Sequence, residues 1–275
     1  METQTTQPAE PGAARTDAGR QFWREMLAAG GFTAVPRWVA AGPRPGTGGH
    51  GTCEATVPGA TAKALRRLAG EAGVPLGAVV LAAHARVLGV LSGEDDAMTG
   101  WMPEPAAVPG VRALPCRLAV DDDRTWRALV LDAHRVTAGL SAHRDFPVEE
   151  SARELGISEP LYEVEFDPFG AGGDMGAGTV LRLVVEEDGN GGGDGTVVLR
   201  LRYRTDVLDG EAAGRIAGYH LAALGRIAAD PDAACGDTGL LSAEEVAFQV
   251  EGLAGRRREL PGLRVHELFE ERVRA

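Results

Sequence analysis

The chain has 275 residues, enough for one large domain or two small ones and for a core that needs no disulfide or metal staple. Hydrophobic residues make up 44% and charged residues 25%, which excludes a wholly disordered chain and a collagen-like repeat. With 28 basic and 40 acidic residues the formal charge is −12, and a field of that sign repels phosphate backbones and anionic lipid, so neither nucleic acid nor a membrane is an expected partner.

Residues 1–18 are polar and rich in Pro, Ala and Gly; they read as a disordered tail without the basic patch or apolar run of a secretion signal. No stretch approaches the roughly 20 apolar residues that span a bilayer. Cys53, Cys116 and Cys235 stand far apart and never as C-x-x-C, which argues against a disulfide framework or a zinc knuckle and for reduced thiols in the cytoplasm. Asp17 is placed to cap a helix whose Phe22, Met26 and Leu27 share a stripe. Residues 42–51, with five glycines and two prolines, read as an exposed connector. Alternation at Thr52, Glu54 and Thr56 against Cys53, Ala55 and Val57 predicts a half-buried strand ending at Pro58.

An amphipathic surface helix is predicted from Ala60 to Ala72, stopped by Gly73. Leu76 to Leu91 is apolar on every side and reads as a core helix. Strands follow through Ala97 to Gly100 and over 111–120, where Pro115 demands an edge or a bulge. Asp121 to Asp123 suit the N-terminal dipole of a helix over Thr125–Ala142, and Pro147 opens a short helix to Leu155. Strands at 161–166, 180–186 and 196–203 come next, the last two joined by a glycine-rich turn over 188–195. Asp209 caps a helix over 211–229. Without a βαβ rhythm, the fold class is mixed α/β: a mixed sheet covered by helices.

Chemical motifs are mostly broken. The glycine-rich run around Asn190 lacks the Gly-Lys-Ser/Thr of a phosphate loop and the acids of a calcium loop. His143-Arg144-Asp145 lacks every other kinase element, and Gly139-Leu-Ser-Ala-His143 breaks the serine-hydrolase elbow at its last position. The histidines (His50, His84, His134, His143, His220, His266) form no ligand pair, so no metal site is expected. His84 and His220 each share an apolar helical face and read as core residues. His143, in a compact stretch with two acids and a proline, is the histidine that carries a functional alternative, although the helix dipole also favours it there.

Five segments taken in order carry a family resemblance: Phe22-Trp23-Arg24-Glu25; Ser92-Gly93-Glu94-Asp95-Asp96 with Gly100; Ala142-His143-Arg144-Asp145-Phe146-Pro147-Val148-Glu149; Pro160-Leu161-Tyr162-Glu163-Val164-Glu165-Phe166; and Tyr203-Arg204-Thr205-Asp206. They resemble the condensation domains of nonribosomal peptide synthetases. The likeness continues through 240–245 and ends in Val265-His266-Glu267-Leu268-Phe269-Glu270-Glu271, which is similar to the opening of an adenylation domain. Such a condensation domain has two lobes like chloramphenicol acetyltransferase, and its H-H-x-x-x-D-G signature belongs to the first. This sequence has no His-His pair, and only the tail stands where first-lobe segments belong.

The resemblance thus implies a second lobe over 19–235, with 236–275 leading into an adenylation domain. Gly100, Arg117, His143, Asp145, Pro147 and Glu149 occupy family-motif positions with structural roles, and no catalytic, cofactor-binding or metal-binding residue is assigned. Arg117 keeps the arginine that ends a family strand, while the polar pair before it is gone. Any phosphopantetheine would be presented by partner carrier proteins. The expected role is a platform for the adjoining adenylation domain, not catalytic alone; the enzymatic alternative is half of a split condensation enzyme completed by a separately encoded first lobe. A free-standing coenzyme A acyltransferase lacks a base. Where a missing lobe would dock, either a bare apolar face or a face made polar is expected, with Arg112, Arg117 and Arg144 as contributors.

Overall fold

The computed structural model describes residues 11–28, 31–39, 49–104, 112–157, 160–170, 173–176, 178–187, 195–236, 239–255, 262 and 264–274. In chain order the elements are α1 (Pro11–Ala28), β1 (His50–Thr56), α2 (Gly59–Ala72), α3 (Leu76–Ser92), β2 (Asp96–Trp101), β3 (Leu114–Ala119), α4 (Trp126–Ala142), α5 (Val148–Glu154), β4 (Val164–Asp167), β5 (Leu181–Glu187), β6 (Val197–Arg204), α6 (Gly210–Ala229), α7 (Ala243–Ala247) with a π-helical turn over Phe248–Gly252, and α8 (Val265–Arg274). The strands form a mixed six-stranded sheet ordered β1-β6-β5-β4-β2-β3. Its middle strands β2, β4 and β5 run parallel, and the outer pairings are antiparallel. Expected fold class and architecture agree with this sheet and its helical cover.

Strand alternation decides which side chains meet the helices. In β6, Val197, Leu199, Leu201 and Tyr203 are buried while Val198, Arg200, Arg202 and Arg204 are half-buried, the pattern of a sheet with one apolar face. Helix α3 packs on α2, α4, α6 and β2, and its buried residues run round its circumference, as an apolar helix without a polar face requires. Helix α2 ends at Gly73, whose φ of 67° is a left-handed conformation that glycine adopts without a Cβ penalty. Pro115 sits on β3 at the sheet edge, where a missing N–H costs no ladder bond.

Two expectations shift. Helix α1 starts at Pro11, not after the eighteenth residue, so Asp17 lies inside it; a proline at a helix start loses nothing, and the Ala- and Arg-containing stretch after it has good helix propensity despite its tail-like composition. Helix α4 is capped by the Thr125 hydroxyl, which accepts from Ala128 N, while Asp121 closes its own turn by accepting from Asp123 N. The first compact unit runs to Leu240, and within it Cys235 N donates to Arg124 O and Gly236 N to Asp122 O. Most of the connector at 42–51 and of the turn at 188–195 lies outside the described residues.

The second unit, Leu241–Ala275, carries α7, the π-turn and α8. Val265, Phe269 and Val273 of α8 are 85%, 70% and 70% exposed, and their spacing of four places them on a single stripe.

Two histidines join α3, α6 and the sheet inside the core. His84 Nδ1 lies 3.0 Å from His220 Nε2, and His220 Nδ1 lies 2.7 Å from Ile216 O. A carbonyl only accepts, so His220 carries its proton on Nδ1 and accepts at Nε2, which leaves His84 donating through Nδ1. Thr99 Oγ1, 3.4 Å from His84 Nε2, donates to Val164 O at 3.1 Å. Burial holds His84 well below its ordinary range, with His220 adding to the effect, and burial lowers His220 to about 4.

Both imidazoles are therefore neutral when folded and take up protons near pH 6.5 when unfolded, so the unfolded state binds more protons below that pH and stability falls as pH drops from about 6.5 toward 4. Urea unfolding should show a loss of roughly 1 kcal/mol per pH unit per imidazole in that window, and a His84→Leu/His220→Leu variant should flatten the slope. An unchanged slope contradicts the assignment.

Candidate functional site

Except beside Met98, the sheet face turned away from α3, α4 and α6 is polar and closed by charge pairing. One row across all the strands reads Thr52, Arg202, Arg182, Glu165, Gly100 and Pro115. Arg182 and Glu165 are 3% and 5% exposed and meet at 2.5 Å. The Thr179 hydroxyl donates to the other Glu165 oxygen at 2.6 Å. The rest of the Arg182 guanidinium donates to Gly173 O and Asp174 O, and Arg202 reaches the same Gly173 carbonyl. Arg200 stands between Glu54 and Glu186, Arg204 pairs with Asp206 at 2.7 Å, and Arg117 with Asp96 at 2.5 Å. Glu163, just before β4, accepts from Val35 N and from both terminal nitrogens of Arg37, at 2.6–2.8 Å.

Sequence reasoning missed this network, although its signal stands in Glu163-Val-Glu-Phe-Asp167 and Arg200-Leu-Arg-Tyr-Arg204, where charges recur at every second position.

The motif positions divide into separate places. Gly100 lies on β2 under the Tyr162 ring; a Cβ there would come within 2.5–2.7 Å of ring atoms, so the ring packs only over glycine. The Tyr162 hydroxyl donates to Ala113 O at 2.8 Å, and burial, reinforced by the nearby Glu165 charge, pushes its pKa far above the ordinary range. Arg117 stands across from Met98 on β3.

His143 ends α4 and ties down α1: its carbonyl accepts from Trp23 Nε1 at 3.1 Å, and its ring lies 4.8 Å from Phe22. Asp145 is 99% exposed. Pro147 is exposed and occupies the N-cap position of α5, which therefore starts at Val148, one residue later than expected. Glu149, in the first turn of α5, pairs with Arg112 at 3.1 Å, and Arg144 donates to Glu104 O. Arg112, Arg117 and Arg144 thus serve three separate contacts and do not form a joint patch.

These positions frame an open apolar groove of about 440 Å³ lined by Leu27, Phe32, Met98, Ile157, Pro160 and Leu161. Leu27 arrives on α1, held through His143. Phe32 arrives on the extended stretch 31–39, pinned by Thr33 Oγ1 accepting from Met98 N at 2.8 Å and by Glu163. Leu161 arrives beside Tyr162, seated over Gly100.

No nucleophile–base–orienter arrangement accompanies the groove among the described residues. His84 and His220 are fully buried, His143 is committed to α1, and burial pushes Cys116 to about 12 and Cys235 to about 11, far from thiolate reactivity. Among the described residues no group of three His, Cys, Asp or Glu side chains is placed to hold a metal ion, and no single described helix is long and apolar enough to cross a membrane.

No family model matches the chain. It is 29% identical over 183 residues to the AMB antimetabolite synthetase AmbE of Pseudomonas aeruginosa, 62% of this chain and 8% of that protein, and 25% identical over 234 residues to surfactin synthase subunit 1 of Bacillus subtilis, 76% of this chain and 6% of that one. Among solved structures, the X-domain from teicoplanin biosynthesis matches with a TM-score of 0.69 at 21% identity, over 82% of this chain and 57% of that one, and its complex with OxyB matches over 83% and 56% with the same score and identity.

The first condensation domain of the CDA synthetase gives 0.62 at 22%, over 84% and 55%. The four-domain nonribosomal peptide synthetase AB3403, bound to AMP and glycine, gives 0.69 at 16%, over 94% of this chain and 23% of that one. The chain thus spans less than a tenth of the curated relatives and a little over half of the solved X-domain and condensation domain. The described residues fold as the condensation domains of nonribosomal peptide synthetases do, over a little more than half of such a domain.

Proposed function

We propose that these residues form the second lobe of a condensation-like domain that does not catalyse amide formation by itself and acts as a structural and binding platform beside an adenylation domain of a peptide synthetase. The observation that carries this reading is the finished polar face of the sheet. A lobe whose sheet needed a second lobe to cover it would expose apolar side chains across that face, whereas this one presents guanidinium–carboxylate pairs and main-chain contacts, with apolar lining confined to the groove beside Met98.

The chemistry points the same way: amide formation on a thioester needs a positioned amine, a proton acceptor and an oxyanion stabiliser, and the 275 residues contain no H-H-x-x-x-D-G. Support for a platform comes from the X-domain, a solved domain of this fold in complex with OxyB. The apolar stripe of α8 and the 94% coverage by a four-domain synthetase support a neighbouring domain. Carrier proteins would bring any phosphopantetheine thioester. The alternative, half of a split condensation enzyme, is favoured by the length of the solved condensation domain, of which this chain covers 55%.

Mixed with two aminoacyl-loaded carrier proteins, the chain should yield no dipeptidyl thioester above the uncatalysed background; turnover by the chain alone overturns the proposal. If adding a separate polypeptide that bears H-H-x-x-x-D-G restores coupling, the split enzyme replaces the platform. In the linked synthetase, deleting the segment should lower soluble yield or adenylation rate, and unchanged yield and rate contradict a platform.

A further inference from the structure

We infer that the groove framed by α1, the 31–39 stretch, β2 and residues 157, 160 and 161 is a binding site for a neutral apolar small molecule. The inference does not rest on the function proposed above. Its volume of about 440 Å³ falls in the range of small-molecule sites, roughly 300–1,000 Å³.

The chemistry of its walls selects the occupant. Leu27, Phe32, Met98, Ile157, Pro160 and Leu161 offer no charge and no strong hydrogen-bonding side-chain group. The polar groups that border them are already committed: Thr33 Oγ1 to Met98 N, Asp96 to Arg117, the Tyr162 hydroxyl to Ala113 O, and Glu163 to Val35 N and Arg37. A charged or strongly polar group entering the groove would lose water without gaining a partner, whereas an apolar group gains with every CH₂ it buries. Any polar end of the ligand stays at the mouth.

The walls are also held in place before anything binds. Trp23 fastens α1 to His143 O, Thr33 fastens the extended stretch to β2, and the Tyr162 ring fixes the 160–161 corner over Gly100, so little ordering cost is left to binding. Met98, 3% exposed, forms a floor whose unbranched, polarisable side chain adapts to the shape of an occupant. Phe32, 41% exposed, lines a concavity, unlike Val90, Leu131 and Phe169, the other large apolar side chains exposed among the described residues before Leu241, none of which lines the groove.

The test uses the full chain and N-phenyl-1-naphthylamine, a neutral probe that brightens in apolar surroundings, with a ¹³C-methyl signal from Met98 as a second readout. The expected result is saturable one-site binding that shifts the Met98 methyl resonance, weakens at least tenfold in Phe32→Glu, and survives in Phe269→Glu, which removes the centre of the exposed α8 stripe. Thermal melting matched to the parent shows that Phe32→Glu is folded; if it melts early, the Met98 shift in the unaltered chain decides. Absence of binding, binding that Phe32→Glu leaves intact in a folded protein, loss in Phe269→Glu alone, or a Met98 methyl that does not move overturns the site.

Discussion

The fold turns on one buried ion pair. Strand β4 lies between two parallel neighbours, and all four of its residues are buried, yet it carries Glu165 and Asp167 and follows Glu163. An inner parallel strand is normally apolar on both faces. Charge is tolerated here because Arg182, directly across on β5, meets Glu165 with its ring-like fork of donors while its remaining nitrogens hold the chain at Gly173 and Asp174. Burial of such a pair costs desolvation that only good geometry and saturated hydrogen bonding offset. Glu165 has three donors from two side chains, and Arg182 has three acceptor groups. Asp167 is less well served: one oxygen accepts from Phe169 N and the other is buried without a partner.

That pairing separates the two faces of the sheet and with them two kinds of work. The apolar face, under α2, α3, α4 and α6, supplies the core and encloses the His84–His220 pair. The opposite face supplies order of another kind: paired charges fix Gly173, Thr179 and the 31–39 stretch against the strands. Residues that stand at motif positions of condensation domains contribute here as framework. Gly100 admits a ring, His143 anchors a helix through its carbonyl, and Arg117 closes a pair with Asp96. The apolar groove is what that framework encloses.

Much of this was legible in the sequence because periodicity reports burial directly. The all-round apolar run of α3, the alternation of β1, the Asp209 cap that accepts from Ala212 N, and an edge at Pro115 follow from local rules. The ordered motifs identified the fold even though each was weak. Other features depended on partners distant in the chain. Nothing local says that Glu163 meets Arg37 across 126 positions or that His84 meets His220 across 136. Helix α1 reaches back to Pro11 where composition suggests a tail, because Pro, Ala and Gly are ambiguous between tail and helix start. Residue type draws attention to the His143 imidazole, but the contacts seen are a main-chain oxygen on Trp23 and ring packing on Phe22, which residue type alone does not reveal.

Hydrogen exchange on the full chain tests most directly whether the sheet is complete without a second lobe. If paired charges finish its outer face, the amides of β4 and β5 exchange only through global unfolding, with the same free energy as denaturant gives for the whole first unit, and an Arg182→Leu variant lowers both together. Exchange of β4 and β5 through openings far cheaper than global unfolding, while the helical core stays protected, would show a sheet face waiting for a missing cover and would contradict the account.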